Sequence, residues 1–355
     1  PRSTLLASSA ASDVYKRQVN LLMGIYTSTN LIEEALESGA AIGFSTNVTR
    51  VLTNDNFNKF IGYGGYTPKD VSDYRTIFSG VEVSKDAGKW TYEGASKYWV
   101  KDAAYKFYAH NCENMALTKC IPEFATTGSD AGAFNITDFV CNKGHQHDLI
   151  YAESGTITGK ETGNTAVSFS FKHLLSRVKA SFKSGFDPGF TIEISEVELH
   201  NVYDKADFSS KSGAWSNQSR TIEYNLANSE WTMVPLNIEG SDNVIQAAKP
   251  ADGDTEAVAA KELTTQSGYV LPVTYTSNNV TLSFKVTVKQ GSDVIKSDYI
   301  KGNLQPTWAI ATSYTYNITV NGSAAGVEKI EFSVEASNGI EDWTESPGTD
   351  FNVGS

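Results

Sequence analysis

The chain is short of the features that would point to chemistry. It has three cysteines in 355 residues, Cys112, Cys120 and Cys141. An odd count cannot pair fully, which leaves room for one loop-closing bridge in an oxidising compartment but excludes a disulfide framework. Basic residues are scarce: 29 Lys and Arg stand against 41 Asp and Glu, for a formal charge of −12 and a pI near 5. Nucleic acids and anionic membranes need a basic footprint, so neither is expected as a partner. No apolar run approaches the roughly 18 residues of a membrane span. Catalytic signatures are missing as well. There is no G-x-S-x-G, no CxxC pair and no HExxH, and neighbouring carboxylates such as Glu33-Glu34 and Glu341-Asp342 are adjacent rather than convergent. The Gly-rich "GYGGY" at 62–66 lacks the strand-to-helix setting and the lysine of a phosphate loop. It reads as a strand whose small residues allow close packing. Neither an enzyme nor a cofactor is expected.

What the chain has is alternation. "AIGFSTNV" puts Ile42, Phe44 and Val48 on one face. "NNVTLSFKVTV" puts Val280, Leu282, Phe284, Val286 and Val288 on one face, and "SYTYNITV" and "IEFSV" repeat the pattern, the latter through Ile330, Phe332 and Val334. A period of two marks half-buried antiparallel strands. In "TIEISEVELHNV" the phase slips by one residue between Ile194 and Val197, which predicts a β-bulge. Helix signals are sparse: "NLIEEALES" at 30–38, and one or two turns within "PKDVSDYRTIF" at 68–78. The expected fold class is all-β, two consecutive antiparallel β-sandwich domains with few short helices.

A polar, Gly/Thr-rich stretch, "ESGTITGKETGN", separates two apolar regions and predicts a linker at 154–163 between domains at 40–153 and 164–343. Residues 247–262 read as a long surface loop, 19–39 as a leader and 344–355 as a polar tail. The first 18 residues lack periodicity, and Asp13 to Gln18 read as the translation of a transposon end used in preparing sequencing libraries. They are expected to be foreign to the fold, with a secretion signal or lipid-anchoring cysteine lost alongside the true start.

Aromatics concentrate in "KWTYEGASKYWVKDAAYKFYAH", which holds Trp90, Tyr92, Tyr98, Trp99, Tyr105 and Phe107. Strand spacing favours core packing, and an exposed stacking platform for a sugar is the other reading. Nearby, "CNKGHQHD" offers Cys141, His145, His147 and Asp148, with His110, Cys112 and Cys120 upstream. The spacing fits no closed site, so polar loop residues are expected rather than a metal centre.

These residues carry a resemblance. "GKWTYEGASKYWVKDAAYKFYAH" resembles the signature of the fimbrillin-like family of Bacteroidota-type pilus and surface proteins. "IGFSTNVTR" (42–50), "DLIYA" (148–152), "VSFSFKHLLSRVKASF" (167–182), "SEVELHNV", the 308–320 segment and "IEFSVEASNGIEDW" (330–343) follow in the family's order. The departures are the missing lipoprotein cysteine and the Cys/His-rich patch. The resemblance implies transthyretin-like sandwiches and a structural subunit or tip adhesin of type V-like pili. It implies export to the outer membrane, other pilin subunits as partners, and cell adhesion to a host glycan or protein. It also implies assembly by strand exchange: a protease cutting after Arg50 would release the strand of Ile42, Phe44 and Val48. The strand of Ile330, Phe332 and Val334 is the candidate donor, with the polar residues beyond it as the other. A monomeric surface lipoprotein that binds glycan or host ligand is the alternative.

Overall fold

The computed structural model describes residues 57–86, 89–94, 97–112, 121–160, 166–221, 233–248, 259–277 and 279–320, together with the backbone of short strands at Gly24–Ile25, Glu331–Glu335, Thr344–Glu345 and Thr349–Asn352. The suspected foreign segment 1–18, the helix expected at 30–38, most of the leader and of the 247–262 loop, and Ile42, Phe44, Val48, Arg50 and Ile330 lie outside the described residues.

The fold is all-β. Among the described residues the one helical element is a 3₁₀ turn at Gly128–Asp130. The helical turns expected within 68–78 are absent. Asp70 takes the left-handed conformation, with φ of 64°, which ends any right-handed turn there, and Arg75–Asp86 runs back antiparallel to Lys59–Thr67.

In the N-terminal half, six strands form one sheet in the order Lys172–His173, Leu149–Thr158, Ala104–Cys112, Lys59–Thr67, Arg75–Asp86, Lys89–Tyr92. Every neighbouring pair in it is antiparallel. A second sheet of four strands, Ala214–Ser219, Lys205–Ser209, Phe134–Val140 and Ile121–Phe124, draws two strands from each side of the polar stretch at 154–163. That stretch is itself strand as far as Thr158.

The C-terminal half pairs a five-stranded sheet around Phe190–His200 and Val280–Gln290 with a seven-stranded sheet around Ser176–Ser184 and Thr312–Val320. Those last two run parallel. The register of Phe190–His200 on its neighbour breaks between Ser195 and Glu198. Glu196 has φ of 52° there, and Ile192, Ile194, Val197 and Leu199 are all buried. This is the bulge that the phase slip predicts: one extra residue keeps both runs facing the core.

Three cores result. Between the C-terminal sheets the filling is mostly aliphatic, with Val178, Ile192, Leu199, Leu282, Phe284 and Ile318 fully buried. The six-stranded sheet is covered on both faces. One face carries Phe60, Phe78, Trp90, Tyr105 and Phe107, packed with Phe169 and Phe171. The other carries Tyr63, Tyr108 and Tyr151 against Phe134, Phe139, Phe208 and Trp215 of the four-stranded sheet. Close packing explains the glycines of "GYGGY". A methyl group on Gly64 would stand 2.6 Å from the Lys106 carbonyl oxygen and 2.7 Å from the Phe107 ring. On Gly65 it would meet the Arg75 carbonyl oxygen at 2.5 Å and the Phe124 ring at 2.6 Å.

Candidate functional site

The aromatic segment divides by burial. Trp90, Tyr105 and Phe107 are core residues. Tyr92 and Trp99 are partly buried against them, and Tyr98 alone of the six is well exposed, at 45%. The rings interlock: Trp99 meets Tyr105 edge-on at 4.5 Å between centroids, and Tyr105 stacks on Phe107 at 5.8 Å. The Tyr105 hydroxyl accepts from the Val100 amide at 2.5 Å and the Tyr92 hydroxyl from the Lys97 amide at 3.1 Å, so the loop carrying Tyr98 is tied down by ring hydroxyls. With five of six rings turned to the core, no row of exposed faces is left on which a sugar would stack.

The Cys/His patch is a structural seam between the two halves of the chain. Cys141 is buried and its thiol donates to the Tyr269 carbonyl at 3.2 Å. Gln146 grips the same residue twice: its Nε2 donates to the Tyr269 carbonyl at 3.1 Å, and its Oε1 accepts from the Tyr269 amide at 2.7 Å. The side-chain amide thus stands in for a neighbouring strand. Asn142 donates to the Asp204 carboxylate at 3.1 Å, and the Cys141 amide donates to the Asp204 carbonyl at 2.7 Å. Asp148, fully buried, pairs with Nδ1 of His173 at 2.8 Å. Trp215 adds a donor across the same seam, Nε1 to the Leu174 carbonyl at 2.7 Å. Among the described residues no three His, Cys, Asp or Glu side chains converge as metal ligands; the side chains of Cys112 and Cys120 fall outside that set. Sequence reasoning missed Gln146, because no periodicity or motif marks a side chain that pairs with a backbone so far along the chain.

His110 is the odd member. It is 4% exposed, lies against the rings of Tyr63 and Phe134 at 5.7 and 5.9 Å, and neither ring nitrogen has a hydrogen-bond partner. Burial disfavours its charged form and lowers its pKa to about 4. Nearby, burial pushes the Tyr108 hydroxyl up to about 12, and its proton goes to the Gly132 carbonyl at 2.7 Å. These are neutral, buried groups, without the exposed and activated character of a catalytic acid or base.

What remains as a site is the set of sheet edges. The candidate donor strand, Glu331–Glu335, pairs Phe332 with Ile318 and Val334 with Tyr316 on one side. On its other side it pairs with Thr349–Asn352, the last strand of that sheet among the described residues, while Thr344–Glu345 lies parallel to Thr312–Ser313. The residues expected to be a polar tail therefore contribute strands. At the other end of the chain, Gly24–Ile25 runs parallel to Ser168–Phe169. Neither pairing was legible, since two to four residues are too few to show a period.

Comparison with known proteins identifies this arrangement. The model of the fimbrillin-like family matches residues 49–343. A fimbrial protein from Bacteroides vulgatus ATCC 8482 is similar in structure with a TM-score of 0.56 at 15% identity, over 89% of this chain and 98% of that one. The fimbrial anchor protein Mfa2 from Porphyromonas gingivalis is similar over 87% of this chain and 94% of its own, at 12% identity and a TM-score of 0.35. At such identities a structural likeness speaks to the fold alone. Among curated protein sequences none matches. The family match covers most of the chain and includes every core residue described above: this chain belongs to the fimbrillin-like family, whose members are structural and adhesion proteins and not enzymes.

Proposed function

We propose that this chain is a fimbrial subunit or tip adhesin on the cell surface, assembled by strand exchange after a proteolytic cut at Arg50. The observation that carries the reading is the family match over residues 49–343. It leaves out the alternating strand of Ile42, Phe44 and Val48, the part that a cut after Arg50 removes. Each of those side chains contributes roughly 1.5–3 kcal/mol where it is fully buried. Its loss opens an apolar trough and an unpaired edge, and both are templates for an incoming strand. On the donor side, Thr349–Asn352 has, among the described residues, a neighbour on one side only. It can leave by breaking a single ladder, whereas the strand of Phe332 and Val334 would break two. The outer strand is therefore the first to be donated. The partners in this reading are other fimbrial subunits, with outer-membrane attachment through an N-terminal lipid.

The test is limited digestion of the full chain with an Arg-specific protease, N-terminal sequencing to verify the cut after Arg50, and light scattering on the product. Trimmed wild type is expected to polymerise, and Arg50→Ala, uncut at that position, is expected not to. A product cut after Arg50 that forms no polymer at high concentration rules out strand exchange from this site.

A further inference from the structure

The five-stranded sheet of the C-terminal half ends in a long free edge, Asp293–Leu304. One side of this strand pairs with Val280–Gln290; among the described residues no strand pairs with the other. Residues 293–299 are exposed at every position, so this end of the strand stands clear of the core on both faces. Val294, Ile295 and Tyr299 are 57%, 55% and 49% exposed. A long edge with large apolar side chains in water is a surface suited to another strand.

The order of residues on this edge is complementary to its own reverse. From Asp293 to Lys301 it runs Asp-Val-Ile-Lys-Ser-Asp-Tyr-Ile-Lys. Read antiparallel about Ser297, Lys296 falls opposite Asp298, and Tyr299 opposite Ile295 and Val294, where the strand bulges. We infer that this edge pairs with the same edge of a second copy of the chain, antiparallel and two-fold symmetric about Ser297.

The geometry gives that pairing a defined register. Lys296 and Asp298 sit opposite Val288 and Val286 of the neighbouring strand, so both lie on the face that continues the core. With Ser297 facing Ser297, each lysine meets the partner's carboxylate and each carboxylate the partner's lysine. Moving the symmetry centre by one residue in either direction sets Lys296 against Lys296 or Asp298 against Asp298, and like charges directly opposed are destabilising. The strand also has an irregularity. Val288 pairs with Lys296 but Lys289 with Val294, which leaves Ile295 as an extra residue. Beyond Lys296 the faces therefore shift by one, and Tyr299 of the second copy packs on Val294 and Ile295 together. Tyr299 is already held for this: its hydroxyl donates to the Glu196 carboxylate, and the Lys285 ammonium lies 5.7 Å from its ring centroid. A side chain fixed beforehand loses less freedom on binding.

A bulge and core-facing charges are devices by which edges refuse arbitrary strands. Lys296 and Asp298 of one copy stand 3.9 Å apart, ammonium to carboxylate; an uncharged strand would bury that pair with no further partner, whereas a second copy adds an opposite charge to each. The contact is isologous and closes at two copies. It is distinct from the open chain of subunits in the fimbrial reading and needs no cut at Arg50.

Sedimentation equilibrium of the full, untrimmed chain over about two decades of concentration tests it, because an interface this small is expected to be weak. The expected result is a monomer–dimer equilibrium whose Kd rises by at least about ten-fold in Lys296→Asp and in Asp298→Lys. The double variant, which restores complementary order with the signs exchanged, returns Kd toward the wild-type value. Thermal melts of the three variants establish that each is folded. A wild type that is monomeric throughout overturns the inference. So does a dimer that the single variants leave unchanged, or a double variant no tighter than the singles. None of these outcomes bears on polymerisation after trimming, so the two readings stand or fall separately.

Discussion

His110 makes this fold sensitive to acid, and the size of the effect follows from its surroundings. Its ring is buried against Tyr63 and Phe134 with both nitrogens unpartnered, and its ladder neighbours, Ile61 and Tyr151, carry no charge. Protonation there has nothing to compensate it. The folded pKa of about 4 lies below the ordinary value of 6.5. Above pH 6.5 the residue is neutral in both states and contributes no pH dependence. As the pH falls below 6.5 the unfolded chain takes up a proton that the folded chain refuses. Stability is lost until the folded state titrates as well, near pH 4. Two-state linkage puts the loss at about 2 kcal/mol by pH 5 and about 3 kcal/mol by pH 4. That is a large share of the roughly 5–15 kcal/mol by which domains are stable.

The assay is urea denaturation of wild type and His110→Phe at pH 7, 6 and 5. Phenylalanine keeps a planar ring against the same two neighbours and removes the titrating group. The variant should lose about 2 kcal/mol less than wild type between pH 7 and 5. Glu198 adds a background common to both proteins. A hydrogen bond from His200 holds its pKa below the usual value, so the stability it contributes is lost as the pH falls through that lowered pKa. Parallel stability curves for wild type and variant would refute the assignment, whatever their absolute offset.

Two further outcomes follow from the packing. Gly65→Ala is expected to destabilise by about 1–3 kcal/mol in a thermal or urea melt, because the added methyl meets a fixed backbone carbonyl and the buried Phe124 ring. Within the aromatic segment, Phe107→Ala should cost about 3–5 kcal/mol by leaving a cavity between Phe78, Trp99 and Tyr105. Tyr98→Ala should stay within about 0.5 kcal/mol of wild type, and equal losses for the two would mean that the segment is not organised around a core.

Strand identity was legible wherever one face of a strand meets water. Val280, Leu282, Phe284, Val286 and Val288 alternate in sequence and are all buried, and the slip of phase before Val197 became a bulge at the same place. Alternation is weaker in "YKFYAH" because both faces are covered: Tyr105 and Phe107 enter one core, Tyr108 the other, and His110 lies against Tyr63 and Phe134. A period of two says which face a residue takes and nothing about which strand lies beside it. The pairing of Phe134–Val140 with Lys205–Ser209 is therefore invisible in the chain, although it joins the two halves. The structural task of the Cys/His patch was hidden for a related reason. Residues typical of metal sites also serve as short polar connectors, and only the position of Tyr269 shows that Gln146 and Cys141 are pinning a strand.

That seam bears on whether a cut at Arg50 leaves a subunit able to persist. Among the described residues, those of the three cores lie beyond position 56, as do the contacts of Gln146, Asp148 and Trp215 that lock the halves together. The cut removes none of them. Among the described residues it frees one edge, that of Ser168–Phe169 where Gly24–Ile25 runs beside it. Phe169 itself stays packed, 5.8 Å from Phe60 and 6.0 Å from Phe171 between ring centroids. The rings that hold Phe169 in place lie beyond the cut. In the proposed reading, a subunit trimmed after Arg50 presents unpaired amide and carbonyl groups on this packed support, the kind of edge that takes up an added strand.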